Sequence, residues 1–345
     1  MTLAMPTTTI QQSAKSAIVT ALIALALAAG IIAFLFYYTG TRRGPSPAER
    51  ETFFKQSVTP ILVNNTFANT KALEALDTNI HTQFEQYRRR VPSFTADITG
   101  FGNKAKITWE AVRQLASGDQ KKVERHVTEK FEMNVVSAKR MQEDMETLLK
   151  SFCRDIEANR NRMLVDIEAA VKANSQMSPR SIKLQDVFAE EINGKISQLA
   201  KNSGHDVALM TSLNLLASLA ADYAVTTLVK AALVRTGASL LTIIAASGGT
   251  AATLTAGGGT VGLAEGPAGF VIGLAAGLTV GIIVDIVMSD RLEKKLNSEC
   301  TDFLTKAETS LTKDKDGLIQ SLDRALVEMQ RIQSPVINHQ LEVLP

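Results

Sequence analysis

Residues 257–285 read GGGTVGLAEGPAGFVIGLAAGLTVGIIVD, an apolar stretch in which glycine recurs in two overlapping arrangements. Gly257, Gly259 and Gly262 match the G-x-G-x-x-G pattern of dinucleotide-binding folds, and Asp285 follows at about the distance of a ribose-binding acid. The other arrangement repeats every four residues, a spacing typical of a helix face that packs closely inside a membrane. Its members are Gly258, Gly262 and Gly266, then Gly269, Gly273, Gly277 and Gly281.

The surrounding residues favour the membrane interpretation of these glycines. The stretch before Gly257, ASGGTAATLTA, is poor in the β-branched aliphatic residues of a buried strand, and Pro267 falls where a phosphate-binding helix should continue. On a helix, glycines four residues apart form a strip without side chains that a second helix can approach closely. In water each of them would weaken a helix by up to ~1 kcal/mol. A nucleotide site at Gly257–Gly262 is the less favoured alternative.

Residues 237–289 as a whole predict a Gly/Ala-rich hydrophobic hairpin. No charge occurs from 238 to 264, Glu265-Gly266-Pro267 turns the chain, and 268–284 is again uncharged. The second arm has 17 residues before Asp285, the short end of the range for a membrane-spanning helix. If the helix continues past Asp285, this intramembrane acid must face protein or a water-lined interior.

A second uncharged stretch lies near the N-terminus, after a polar tail at 1–15. Residues 16–38 are 23 residues without a charge, long enough to cross a bilayer as a helix. Tyr37 and Tyr38 lie at one end, where aromatic rings favour the membrane interface, and Arg42 and Arg43 follow. A cleaved signal peptide would have a shorter apolar region and more preceding positive charge than Lys15 alone. The sequence therefore predicts a transmembrane anchor at 16–38.

The polar parts of the chain read as long helices. Ser46, Pro47 and Glu49 form a capping-box pattern that starts a helix. This helix should continue to about Arg90, with a kink at Pro60 and a break at 91–93. Apolar residues recur every three or four positions along 119–172 and again along 290–333, so each stretch predicts one long helix with a coiled-coil-like seam. We expect these two helices to pack against each other.

The fold prediction is thus an all-α, membrane-anchored, elongated helical bundle or coiled coil with an apolar hairpin. Its segments after the anchor are a long-helix region at 46–205, an amphipathic-to-apolar helix at 206–236, the hairpin at 237–289, a C-terminal coiled-coil helix at 290–333 and a tail at 334–345.

Composition and motifs argue against an enzyme. The chain lacks G-x-S-x-G, H-E-x-x-H and P-loop patterns, and its four histidines are scattered without metal-ligand spacing. Acidic neighbours such as Asp144 and Glu146 are expected on solvated helix faces. A net charge of +2 without a basic stripe predicts no nucleic-acid partner. Cys153 and Cys300 are expected to be small core residues, with a disulfide between the two seams as the alternative. We predict no cofactor and no metal.

Charge near the spans predicts the orientation. If 16–38 and both hairpin arms cross the membrane, the bundle side carries most of the nearby basic residues and the other side only Lys15. The positive-inside rule then places the bundle in the cytoplasm, against the inner membrane of the cell. If only the first segment spans, a periplasmic or external bundle is the alternative. The basic residues are Arg42, Arg43, Arg50, Lys230, Arg235, Arg291, Lys294 and Lys295.

Two functions follow from this organisation. The leading hypothesis is a non-enzymatic membrane scaffold that self-associates, or binds partner helices, through the glycine rows and the coiled seams. In layout, long helical seams flanking a Gly/Ala-rich apolar hairpin resemble α-helical pore-forming toxins, although the N-terminal anchor departs from that pattern. The resemblance covers layout and no motif. It implies the alternative function, a conditional pore-forming or membrane-fusion protein that uses the 237–289 hairpin.

Overall fold

Helix α1 begins where the sequence predicts it, at Pro47. In this computed structural model the Glu49 amide donates to the Ser46 hydroxyl oxygen at 3.3 Å, and the Ser46 amide donates to the Glu49 carboxylate at 2.7 Å. The structure describes residue 31 and residues 45–100, 121–174, 184–202, 207–218, 222–246 and 292–342. Its described residues are helical without strands, so the all-α class is confirmed.

Nine α-helices make up the described part of the chain. They are α1 Pro47–Phe53, α2 Thr59–Thr99, α3 Lys121–Asn134, α4 Ala138–Ala173, α5 Leu184–Asn202, α6 Val207–Ser218, α7 Asp222–Ala246, α8 Leu292–Thr312 and α9 Leu318–Glu342. A π-helical turn, Phe54–Val58, joins α1 to α2. This turn, directly before the predicted kink at Pro60, is stabilised by Thr59, whose hydroxyl donates to the Phe54 carbonyl at 3.1 Å.

Helix α2 is the centre of the bundle, and α3, α4, α8 and α9 all pack on it. Its buried side chains recur every three or four residues, so one stripe of the helix faces its neighbours. Within this stripe Phe84 and Tyr87 stack edge to face, with ring centroids 5.6 Å apart. Phe94 contacts Phe131 of α3 in the same way at 5.5 Å. All described helices contribute to one continuous hydrophobic core.

Helices α2 and α4 run antiparallel. Asn69 pairs with Asn159, and further along α2 the Tyr87 hydroxyl contacts Asp144. Arg90, later still on α2, donates to the Val135 carbonyl just before α4 begins. Positions that rise along α2 therefore meet positions that fall along α4.

Several predicted boundaries are wrong. The helix does not break at 91–93, since α2 continues through the exposed Pro92 to Thr99. The predicted single helix at 119–172 is interrupted at residues 135–137. The 290–333 helix is likewise interrupted at residues 313–317, and helix α9 then continues through most of the predicted tail to Glu342. The predicted helix at 206–236 comprises α6 and α7, and α7 extends ten residues into the predicted hairpin.

The two predicted seams do not bury their stripes chiefly against each other. Helix α4 and helix α8 each pack on α2, which carries a longer apolar stripe than either and so takes the central position. The described residues form a helical bundle, and the predicted coiled coil stays a prediction.

Among the described residues, no helix combines the length and the apolar character needed to cross a membrane. All of the predicted anchor at 16–38 except residue 31, and residues 247–289 of the predicted hairpin, lie outside the described residues.

Candidate functional site

A cluster of charged side chains lies where α8 packs on α2. Glu308 of α8 contacts Arg88 through Oε2 at 2.7 Å and His81 Nδ1 through Oε1 at 2.7 Å. Arg88 also binds Glu85 on its own helix at 2.9 Å. Burial lowers the pKa of Arg88, but its hydrogen bonds to Glu308 and Glu85 outweigh this and leave the pKa raised. The cluster therefore keeps a charged guanidinium at the α2–α8 contact.

A second polar contact joins α2 to α4. The hydroxyl of the fully buried Tyr87 and the amide of Gln83 both donate to Oδ2 of Asp144, each at 2.8 Å. Burial, together with the hydrogen bond to Asp144, raises the pKa of Tyr87, so the phenol stays a neutral donor. Asp144 is thus a partner of α2, whereas Glu146 accepts from Gln142 on its own helix at 2.6 Å.

Three further polar contacts join pairs of helices. Lys130 of α3 binds Asp97 of α2 at 2.9 Å, and this hydrogen bond lowers the pKa of Asp97. Arg160 of α4 donates to the Ala217 carbonyl in the last turn of α6 at 3.4 Å, a position where positive charge is favourable. Glu191 of α5 accepts from Gln340 of α9 at 2.6 Å. Each of these groups is bound to a neighbouring helix, so the arrangement fixes helix register.

The two cysteines are separate buried thiols. Cys153 lies on α4 and Cys300 on α8, and both are free, so the disulfide alternative is not realised. Burial raises the pKa of Cys153 to about 12 and also raises that of Cys300. Protonated, shielded thiols are poor nucleophiles and metal ligands, which agrees with a packing role.

An open groove lies at the start of the bundle. It has a volume of about 310 Å³ and lies between the α1 region and the end of α4. Its walls are mixed in polarity, and no group of histidine, cysteine or acidic side chains among the described residues has the arrangement of a metal site. The residues that line the groove are Ala48, Glu49, Thr52, Phe53, Gln56, Ser57 and Asn174.

The site residues predicted from the sequence all lie outside the described residues. This applies to the glycine rows of 258–281, to Asp285 and to the dinucleotide pattern at Gly257–Gly262. The described residues contain no strand and so offer no sheet on which a dinucleotide site is built.

Comparison with protein-family models, with curated proteins and with solved structures gave no match. The described residues themselves define the fold class, an all-α helical bundle.

Proposed function

We propose that this chain is a non-enzymatic membrane scaffold in which a helical bundle is held at the bilayer and self-associates. The proposal rests on one observation, the position of the apolar stretch between two helices of the bundle. Helix α7 ends at Ala246 and helix α8 begins at Leu292, and these two helices contact each other. In the sequence, residues 247–291 are thus an insertion between two packed helices of one bundle.

The flanks of the insertion are firmly part of the bundle. Val225, Leu228 and Leu233 of α7 are buried, as are Leu296 and Cys300 of α8. Lys150 of α4 binds Asp222 at the start of α7 at 2.8 Å, which ties this helix to α4. The insertion is apolar over most of its length, with charged side chains only at Glu265, Asp285, Asp290 and Arg291. We therefore assign it to the bilayer, together with the anchor at 16–38.

In this proposal the glycines form the surface on which membrane helices pack closely. Within lipid there is no hydrophobic drive between helices, so close van der Waals packing at small residues takes its place. The row at Gly269, Gly273, Gly277 and Gly281 supplies such a surface, either within one hairpin or between copies.

The experiment is amine crosslinking of the full chain in membranes, comparing it with a Gly273→Leu, Gly277→Leu double variant. The control is the pair Leu274→Ala, Leu278→Ala, one position further along the same segment. We expect the glycine variant to lose most of the crosslinked oligomers while the control keeps them. Unchanged crosslinking of the glycine variant would count against self-association through the hairpin.

A second candidate function is a conditional pore or fusion device. It is favoured by the same insertion, because a hairpin with both ends held in one bundle could be deployed without the bundle unfolding. Full-length protein reconstituted into dye-loaded liposomes separates the two functions across a pH series. A scaffold should retain the dye at every pH, whereas a conditional pore should release it below or above a threshold.

A further inference from the structure

A small apolar patch lies on the outer side of helix α2. Pro60, Val63 and Phe67 follow one another at spacings of three and four residues and are all exposed. Val63 is 57% exposed and Phe67 60% exposed, whereas the other exposed large apolar side chains of α1–α9 occur singly on their helices. Those are Met133, Val165, Tyr223 and Val327. We call Pro60, Val63 and Phe67, together with the neighbouring Lys71, the α2 patch.

The charged member of the patch is a lysine that lies over the aromatic ring. Lys71 Nζ is 4.4 Å from the centroid of the Phe67 ring. A lysine can keep its methylene stem on an apolar surface while its ammonium group reaches water or a lipid headgroup. Exposed apolar side chains bordered by such a lysine are typical of a helix that lies on a membrane surface.

Acidic side chains are absent from this part of α2. None occurs between Glu51 and Glu74, and the charged residues of that stretch are Lys55 and Lys71. Lys55 is paired with Glu51 at 2.7 Å, so Lys71 supplies the charge of the patch. The exposed Glu74 lies one turn past Lys71 and ends the acid-free part, which limits the patch to about 16 Å of helix.

We propose that the α2 patch rests on the surface of an anionic bilayer. Val63 and Phe67 then lie at the boundary between headgroups and acyl chains, and the Lys71 ammonium group lies at the lipid phosphates. A surface of acidic lipids attracts lysine and repels carboxylates. The lysine beside the ring and the absence of acids around the apolar side chains both fit this partner.

The inference rests on the proposed function at one point, the anchor at 16–38. Two apolar side chains and one lysine bind a membrane weakly, and stable attachment takes a second signal. The anchor is this signal. Pro47, where α1 begins, follows Tyr38 by nine positions, which span at most about 32 Å. The first helices of the bundle are thus held close to the bilayer, and this high local concentration favours even a weak contact.

Quenching of tryptophan fluorescence by brominated lipid tests the patch directly. The full chain carries Phe67→Trp, with Trp109, its only tryptophan, replaced by phenylalanine. It is reconstituted into vesicles of phosphatidylglycerol and phosphatidylcholine, the latter with or without brominated acyl chains, and the ratio of the two fluorescence intensities is measured. The matched control is Tyr223→Trp, since Tyr223 is 82% exposed in the first turn of α7, about 35 Å of helix before Ala246.

We expect the tryptophan at position 67 to be quenched several times more strongly than the one at position 223. Both original side chains are exposed aromatic rings, so neither substitution should change the helical content. Equal quenching at the two positions would overturn the contact between the patch and the bilayer.

A charge test uses the same Phe67→Trp chain. Lys71→Glu should lower its quenching at least twofold in vesicles that contain phosphatidylglycerol, because it places a carboxylate against acidic lipids. Lys195→Glu, at an exposed position on α5, should have no effect. In vesicles of phosphatidylcholine alone, Lys71→Glu should lower the quenching less. Equal quenching with and without Lys71→Glu in the anionic vesicles would overturn the contact with anionic lipid.

The outcomes separate this inference from the scaffold function. Washing the vesicles with alkaline carbonate shows whether the chain is held by a membrane-spanning segment. If the chain resists the wash but Phe67→Trp is quenched no more than Tyr223→Trp, the patch is wrong and the anchored scaffold stands. If the chain is washed off but Phe67→Trp was selectively quenched beforehand, the patch stands and the anchor is wrong. If the chain is washed off and neither position is quenched, both are wrong.

Discussion

Glu308 of α8 and Arg88 of α2 form an ion pair at 2.7 Å between residues 220 positions apart, and both side chains are largely shielded, at 16% and 11% exposure. A shielded guanidinium needs its partner, because removing one member of such a pair leaves a charge without compensation. The pair therefore fixes where α8 lies along α2.

Replacing Glu308 by glutamine should destabilise the bundle. The amide keeps the shape of the side chain but removes the more shielded of the two carboxylates that pair with Arg88, leaving only the half-exposed Glu85. We expect the free energy of unfolding to fall by about 2 kcal/mol, measured by urea denaturation. The control is Glu51→Gln, which removes the fully exposed pair between Glu51 and Lys55. It should change nothing measurable, and an equal effect of the two substitutions would contradict the role of Glu308.

Replacing Tyr87 by phenylalanine should remove a buried hydrogen bond to a charged acceptor while keeping the ring in place. The expected loss is about 1.5 kcal/mol of the free energy of unfolding, since hydrogen bonds to charged groups contribute more than neutral ones. Tyr223→Phe is the matched control, because Tyr223 is 82% exposed. Thermal unfolding should show a lower midpoint for the Tyr87 variant alone; equal midpoints would mean that the contact with Asp144 contributes little.

Two glycine-to-alanine substitutions should have opposite effects. A Cβ at Gly317 would lie 2.5 Å from the Ser310 carbonyl oxygen and 2.8 Å from that of Leu311, so the α8–α9 turn would have to shift. We expect a loss of about 1–3 kcal/mol. Gly194 lies within helix α5 with nothing within 4 Å of its Cβ position, and alanine there should stabilise by about 0.5–1 kcal/mol. Urea denaturation of the two variants measures these changes in the free energy of unfolding. Stabilisation by Gly317→Ala would contradict the described turn.

The α2–α3 contact should weaken in acid. The Lys130 hydrogen bond is the main reason why the pKa of Asp97 is lowered, with burial opposing it and Asn134 adding to it. A carboxyl whose folded-state pKa is depressed adds stability above its unfolded pKa, and this stability is lost as the pH falls through the folded pKa. The unsubstituted chain should therefore lose more stability between pH 6 and pH 3 than Asp97→Asn. Equal losses would show that this carboxyl does not contribute.

Short sequence motifs predicted part of the fold, but two helix breaks were missed because the apolar spacing continues across them. The capping box at Ser46 was readable because all its members lie within four residues. The break at 135–137 was missed because Val135 and Val136 are themselves buried, so the apolar spacing continues across it. The turn at 313–317 was missed because the buried Leu311 and Leu318 lie seven residues apart and keep the helical spacing across it, although Asp316-Gly317 is a turn signal that could have located it.

Pro92 illustrates the opposite error. A proline was read as the end of the helix, but the apolar spacing of Tyr87, Val91, Phe94 and Ile98 continues past it. The burial of these side chains on both sides of an exposed proline outweighs the one hydrogen bond that proline removes. The stripe along α2 was therefore the better guide to the length of the helix.

The interhelical polar contacts could not be predicted from the sequence. Tyr87 and Asp144 lie 57 residues apart, and His81 and Glu308 lie 227 apart. Nothing in the local pattern of either partner specifies the other, because the pairing depends on the register between packed helices. The charge-free stretch around Val63 and Phe67 was readable, but only the structure reveals that these side chains point away from the core.

The most direct test of the membrane scaffold is the side of the bilayer on which the hairpin turn lies. Single cysteines at Glu265 and at Lys315, in the exposed α8–α9 turn, are labelled with an impermeant maleimide in intact cells and in inverted membrane vesicles. If the hairpin after Ala246, residues 247–289, spans the bilayer twice, Glu265→Cys should be labelled from the side opposite to Lys315→Cys. Labelling of both positions from the same side would contradict a membrane-spanning hairpin.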